Sequence, residues 1–335
     1  MRYFIGLVVV GALAWCAWWF VAARGQEAAW AAWIDDRRNA GWVAETASIG
    51  VRGFPNRLDT MITDIELADP VSGWAWSAPF FSVLMIAYQP NHIIANFPPE
   101  HRISSPFDTA VITNETLRGS VVFAANTRLS LDRVRGEIDA LAISGNGWTA
   151  ELDSANLAVN RLDPEDAPDN SYAAYFEAIS LKLPEEIKAR LDPAGLLPEA
   201  FDKTVVDLVA AYDAPWDRLA LEGPKPKLTA VSVKDVDIAW GELTLKARGR
   251  VNVDDEGYAS GEIDVEARNW REMLDLAVKS RLIPGDIASS IEGGLSLLTR
   301  LTGDPKTLKV PLTFARGQTL LGPIPIGAAP RLAPS

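Results

Sequence analysis

The chain has 335 residues, 48% of them hydrophobic and 23% charged, with a net charge of −12. That length fits one large domain or two ordinary ones, and the composition excludes collagen-like, disulfide-scaffold and disordered classes. Arg2 and Arg24 are the only formal charges up to position 24, leaving −14 on the remaining 311 residues, a balance that argues against nucleic acid and against charge-driven adhesion to anionic headgroups.

Residues 3–23 form a run of 21 residues without charge or proline. As a helix it would span roughly 31 Å, matching a hydrocarbon core of about 30 Å. Trp15, Trp18 and Trp19 cluster at its far end, where aromatic rings favour the membrane interface, and Arg24 marks the exit into water. We read residues 1–24 as a retained membrane anchor. The competing reading is a cleaved signal peptide ending at Val21-Ala22-Ala23, which the long apolar run and bulky Trp18, Trp19 and Phe20 disfavour. A lipoprotein reading fails because Trp15, not a small residue, precedes Cys16, the single cysteine. Charges flanking the run do not decide orientation; a two-residue tail most simply stays inside while the rest is exported. The resulting expectation is a single-pass protein of the inner (cytoplasmic) membrane with a periplasmic body.

Residues 25–40 continue as a juxtamembrane helix of good helix formers, stopped by Gly41. Trp30 and Trp33 share a face with Arg37; that stripe either packs on the following domain or rests on the bilayer.

Residues 41–335 read as an exported β-rich domain. The clearest alternation is in 243–253, where Leu243, Leu245, Ala247, Gly249, Val251 and Val253 interleave with polar residues. After the turn Asp254-Asp255-Glu256-Gly257 it resumes through Ala259, Gly261, Ile263, Val265 and Ala267. This is a hairpin with one dry and one wet face, and its basic first and acidic second outer faces predict cross-strand ion pairs. Similar alternation runs from Val121 to Leu131 and through 58–67, 81–88, 136–143, 148–159, 171–183, 228–240 and 308–314. Short turns such as Ser144-Gly145-Asn146-Gly147 force antiparallel neighbours, so the fold is expected to be mainly β (α+β), a long antiparallel curved meander sheet. Few helices cover it. One opens at Leu183-Pro184-Glu185-Glu186; Asn269-Trp270-Arg271-Glu272 resembles a capping box for a second; Ile287, Ile291, Leu295 and Leu298 mark a third. The stiff segment 223–227 offers a subdivision, although no long flexible linker is present.

Little in the chain promises catalysis. His92 and His101 stand nine residues apart without a Cys/His cluster and read as solvated loop histidines; neither Gly-x-Ser-x-Gly nor a glycine-rich phosphate loop occurs. We therefore expect no enzyme, name no catalytic, cofactor-binding or metal-binding residue, and expect no cofactor.

Several segments carry a resemblance: Gly41-Trp42, Ile49-Gly50-Val51-Arg52-Gly53-Phe54-Pro55-Asn56-Arg57, Trp74-Ala75-Trp76-Ser77-Ala78-Pro79, Tyr88-Gln89-Pro90-Asn91-His92 and the ending Leu321-Gly322-Pro323-Ile324-Pro325. Together with the anchor they resemble the bacterial domain-of-unknown-function family numbered 2125, across essentially the whole chain. The family supplies no catalytic residues. More loosely, the architecture is similar to AsmA-like envelope proteins, which resemble bridge-like lipid carriers whose curved sheet has an apolar concave face. In physical terms Gly53-Phe54-Pro55 reads as a break between strands with Phe54 plugging the sheet end. Arg57 reads as binding backbone carbonyls, and Trp74, Trp76 and Pro79 as a packed corner.

The leading expectation is thus a membrane-anchored periplasmic β-groove protein that binds or passes lipid, phospholipid or fatty acyl chains, or supports envelope assembly. Two covering helices are too few for the apolar side of ten or so long strands, which predicts a continuous apolar cavity. The alternative is a structural or interaction ectodomain, a scaffold or adaptor for envelope proteins without a ligand groove.

Overall fold

Period-two alternation gives a mainly β protein. The computed structural model describes residues 1–165, 167–280, 292–296 and 304–332, with eighteen strands among them, antiparallel in every described pairing. The chain divides into two compact units, residues 1–125 with 136–147 and residues 126–135 with 148–335. Gly223 to Lys227 lies inside the second, between a short helix and a strand.

The first unit starts with α1 (Arg2–Asn39), a single helix continuous from the apolar run through the juxtamembrane segment. It is long and apolar enough to cross a membrane, with a mean hydropathy of 2.2 over its best window. Short strands β1 (Val43–Glu45) and β2 (Ser48–Arg52) lie end to end along one edge of β3 (Asp59–Asp69), which pairs on its other edge with β4 (Trp74–Ile86). Beyond β4 come β5 (Gln89–Asn96) and β6 (Glu100–Ser104), one row interrupted by Pro98 and Pro99, which supply no N–H to the ladder. The next row, β7 (Thr109–Thr113) and β8 (Thr116–Phe123), is interrupted at Asn114. That buried amide donates to Pro98 O at 3.0 Å, so the two breaks fasten to each other. The last row is formed by β9 (Leu131–Ser144), of which residues 136–144 belong to this unit and 142–144 pair with β7. The expected strand from Val121 to Leu131 is therefore not one strand: β8 ends at Phe123 and β9 begins at Leu131. Asp64 has a φ of 48°, a bulge that shifts the alternation so that Ile62 and Ile65 both face α1's side of the sheet and are buried together.

The second unit is a meander in which each strand pairs with its successor. It comprises β10 (Thr149–Arg161), β11 (Ser171–Lys182), β12 (Ala200–Tyr212), β13 (Leu228–Trp240), β14 (Leu243–Val253), β15 (Ala259–Arg268), β16 (Thr307–Ala315), β17 (Gln318–Leu321) and β18 (Ile324–Ala328). Helices α2 (Glu185–Leu191), α3 (Arg218–Glu222) and α4 (Trp270–Lys279) interrupt it. Of the third expected helix, 292–296 is helical and Leu295 is buried against Trp270, Leu308 and Val310; Ile287, Ile291 and Leu298 lie outside the described residues. Asn269 does not cap α4 with its side chain. It adopts a left-handed conformation and donates instead to Glu242 O at 2.9 Å, tying the helix start to the β13–β14 turn.

The hairpin of β14 and β15 has the expected register, with Lys246 opposite Glu266 and Arg248 opposite Asp264. Its ion pairs run elsewhere. Lys246 and Arg248 reach Asp237 (3.7 Å) and Asp235 (2.9 Å) on β13, while Glu266 pairs with Lys309 on β16 (3.0 Å). Long side chains on a wet face can turn to either neighbouring strand, and acids flank β14 on both sides.

Candidate functional site

Two surfaces stand out, one in each unit. In the first unit, α1 is fastened to the sheet at nearly every turn from Trp15 onward. Trp15 Nε1 donates to Pro55 O (3.0 Å), Trp19 Nε1 to Arg57 O (2.8 Å), Gln26 Nε2 to Thr60 Oγ1 (2.7 Å) and Arg38 Nε to Ala44 O (2.7 Å). Glu27 Oε1 accepts from Val51 N at 2.8 Å. The spacing of these residues puts them on one helical face, because positions three and four apart lie above one another. Trp19 and Ala23 are buried against Leu58 and Ala87, and Trp30 packs against Ile62, Ile65 and Ala78. The Trp30 stripe therefore rests on the domain, with the Arg37 guanidinium over the rings of Trp33 and Trp42.

Past Trp30 the seam opens into a pocket of about 520 Å³ walled by Trp30, Trp33, Ile65, Leu67, Trp76 and Phe81, with Gln26 as its polar group. Trp76 belongs to an aromatic cluster with Phe81, Phe97 and His101. His101 is not a solvated loop residue. It lies on β6, 3% exposed, beneath Phe97 and Trp76, and its Nδ1 has no hydrogen-bond partner. Desolvation lowers its pKa, partly opposed by a hydrogen bond to the Pro98 backbone. His92 is on β5, half-buried. The break flanking β5–β6 misled the sequence reading: prolines around a histidine suggest a loop, but here they interrupt a strand for three residues.

Three further expectations are corrected. Phe54 does not plug the sheet end: it is 48% exposed and stacks on Phe20 of α1. The Arg57 side chain pairs with Asp59 at 2.8 Å, and it is the Arg57 main-chain carbonyl that takes part in anchoring, as acceptor for Trp19. Trp74 is 57% exposed and Pro79 is exposed, so only Trp76 of the proposed corner is packed.

In the second unit the alternation sorts side chains into two unlike faces. One carries charges and ion pairs, including Lys182–Glu151 and Lys203–Glu177 besides those of β13 to β16. The other carries an apolar stripe that crosses seven strands. One row reads Leu157, Phe176, Val206, Val236, Ala247, Val265 and Val310; beside it runs a second from Val159 through Leu208, Val233 and Ile263 to Leu312. Most of these residues are half-buried; Leu157 at one end is 40% exposed, and Val310 at the other is buried against Trp270 and Leu295. Six inter-strand spacings of about 4.8 Å make the stripe roughly 29 Å long.

Among the described residues, cover is concentrated at the two flanks of the stripe. On one flank Phe314 and Val251 pack with Ala259 and Ala329 of the carboxyl-terminal tail. On the other, α4 lies over Leu245 and Ile238, enclosing a pocket of about 200 Å³ with Phe201, Trp240 and Met273. A second pocket of about 420 Å³, which shares Leu243 and Leu276 with it, is edged by Glu272, Asp275 and Lys279. Among the described residues the sheet thus presents an apolar stripe that ends under α4 and residues 292–296, rather than one continuous cavity. Alternation alone says which face is dry; it does not say how far a sheet curls over it.

Among the described residues no group of three or more His, Cys, Asp or Glu side chains is placed to hold a metal ion. A family model described as an uncharacterized protein conserved in bacteria, DUF2125, matches residues 19–330. The chain belongs to that family. Its match begins at Trp19, the first indole of α1 to be buried against the sheet, and ends in the tail that covers Phe314. Neither the curated proteins nor the solved structures compared with the chain include a match.

Proposed function

We propose that this protein is a non-catalytic acyl-chain-binding protein of the bacterial envelope, held at the inner membrane by α1 with its β units on the periplasmic side. The observation that carries the reading is the apolar stripe of the second unit, half-buried along most of its length among the described residues. A face two residues wide and roughly 29 Å long exceeds the length of one lipid chain, about half of a 30 Å hydrocarbon core. Contiguous apolar surface left partly exposed in this way marks a site of interaction. The charged opposite face keeps the sheet soluble on its other side, and the α4 pockets provide a closed end with carboxylates and Lys279 at the rim. An anchor of membrane-spanning length supports a lipid as ligand, because covalent tethering holds the stripe within reach of the bilayer.

The test compares full-length wild type with Val236→Glu, both purified in minimal detergent. Lipid is then quantified by native mass spectrometry and solvent extraction. Both proteins keep the same anchor and the same annular lipid, so only stripe-bound lipid differs. The expected result is a phospholipid or fatty acid in stoichiometric amount on wild type and its loss from a variant that retains wild-type circular dichroism. Equal lipid on two folded proteins refutes the reading and favours a scaffold for envelope proteins.

A further inference from the structure

We infer that one end of the first unit, made by the turns at 53–57 and 87–88, is seated in the bilayer interface, as a second membrane contact beside α1. The argument begins with length along the helix. Crossing about 30 Å of hydrocarbon takes about 20 helical residues, and the apolar run of α1 covers 3–23. Yet the 53–57 turn is bonded to α1 well inside that run, at Trp15 and Trp19. Were the turn in open water, only residues 3–14 would remain for the core, roughly 18 Å, and the bilayer would have to thin to match. With Arg24 at the water boundary instead, Trp19 lies about 7 Å and Trp15 about 14 Å beneath it, so the turn bonded to both reaches from headgroup depth to the outer edge of the hydrocarbon.

The turn's chemistry fits that depth. Its tip presents Phe54, edge-on to Trp19 at 5.3 Å and stacked on Phe20 at 5.6 Å, with Phe20 itself 54% exposed. Trp15 stacks on Trp18 at 4.9 Å, so the helix and the turn together make an aromatic belt. Several main-chain and indole groups that immersion would strand are satisfied within the protein. Both indole N–H groups have main-chain acceptors, Asn56 N and Arg57 N donate to Gly53 O, and Leu58 N donates to Met85 O. That is the arrangement a low-dielectric layer requires. The 87–88 turn is joined to the first by Ala87 N donating to Asn56 O at 2.8 Å, and it presents Tyr88, 63% exposed. Arg52 and Arg57 are exposed beside this end, at the level of lipid phosphates, with Asp59 holding Arg57 in place.

The test uses the full chain in phosphatidylcholine–phosphatidylglycerol vesicles, with Cys16→Ser as background and single nitroxide-labelled cysteines. Phe54→Cys and Tyr88→Cys probe the proposed contact; Tyr88 is far more exposed than the residues of the α1 seam, so its replacement leaves the fold unburdened. Val71→Cys and Phe107→Cys, at residues 94% and 96% exposed in turns at the other end of the strands, report water. Collision with oxygen relative to a water-soluble nickel chelate is expected to be several-fold higher at 54 and 88 than at 71 and 107. A water-like ratio at either 54 or 88 overturns the inference. The outcome is independent of whether the second unit binds lipid.

Discussion

Replacing Gly249 with alanine perturbs the apolar stripe at a close approach of β14 and β15. Gly249 has a φ of +154°, and a Cβ there would lie 2.4 Å from Glu262 O and 2.6 Å from Ile263 Cα. Gly261, its diagonal neighbour, has a φ of +145° and would place a Cβ 2.4 Å from Arg250 O. The colliding atoms are backbone, so no side chain can swing aside. Restoring ordinary carbon–oxygen contact at about 3.3–3.6 Å means opening the strand pair by about 1 Å. The φ region costs about 1–3 kcal/mol for a residue with a side chain, and overpacking about 1–3 kcal/mol more. A loss of about 2–6 kcal/mol is a large share of the 5–15 kcal/mol typical of a domain. For a unit of about 200 residues it lowers Tm by on the order of 10 °C. The assay is thermal unfolding of the full chain in detergent with hydrogen exchange over 243–268, which reports this unit separately from the first. Ala247→Gly, two residues away on the same face, is the control, with an expected loss of only about 0.5–1 kcal/mol. Gly249→Ala as stable as that control would refute the close-approach argument. The double variant with Gly261→Ala should lose less than the sum, since either alanine opens the same gap.

Two other outcomes follow from groups already described. Asp217 caps α3 by accepting from Leu219 N and Ala220 N and is buried; Asp217→Ala should cost about 1–2 kcal/mol in chemical denaturation, with Asp217→Asn recovering most of it. His101 has a lowered pKa in the folded protein because burial disfavours the imidazolium. The unfolded chain therefore binds the proton first, so stability falls as pH drops through about 6.5 and levels off below the folded-state pKa. His101→Phe, which suits the neighbouring Phe97 and Trp76 rings, should flatten the unfolding midpoint between pH 7 and 5; an unchanged slope would assign the pH dependence to other groups.

Legibility in the sequence tracked how sharply one face differs from the other. The β14–β15 hairpin was readable to within a residue because every second position is apolar and the outer positions are charged. Strand β12 was missed: in Ala200–Tyr212 Val205 and Val206 adjoin, Val209, Ala210 and Ala211 run together, and a bulge opposite β13 shifts the register. The rows containing β5 to β8 were obscured by Pro98, Pro99 and Asn114, whose pairing across strands joins what local chemistry divides. Helix α1 was legible as a length of apolar chain. Its grip on the 53–57 turn was not, because indole-to-carbonyl bonds between residues 38 and 40 positions apart leave no local pattern. The stripe's dry face was legible; the extent of its cover was not, because curvature is a property of the whole sheet.

The meander also bears on how the chain acquires its structure. From β11 to β18 every strand pairs with the one made just before it, and the longest interval falls between β15 and β16, where residues 269–306 intervene. Where the connection is a turn, as from β13 to β14, β14 to β15, β16 to β17 and β17 to β18, the short closure favours rapid pairing, and a chain emerging amino terminus first can add each strand to a growing edge. The last step differs. Ala259 N bonds to Pro330 O, and Leu332 N to Gly257 O, so the final residues return to a turn formed some seventy positions earlier. Completion of the sheet is thereby registered only when the carboxyl terminus arrives, and a chain cut short before Pro330 would leave the end of the β14–β15 hairpin unfastened.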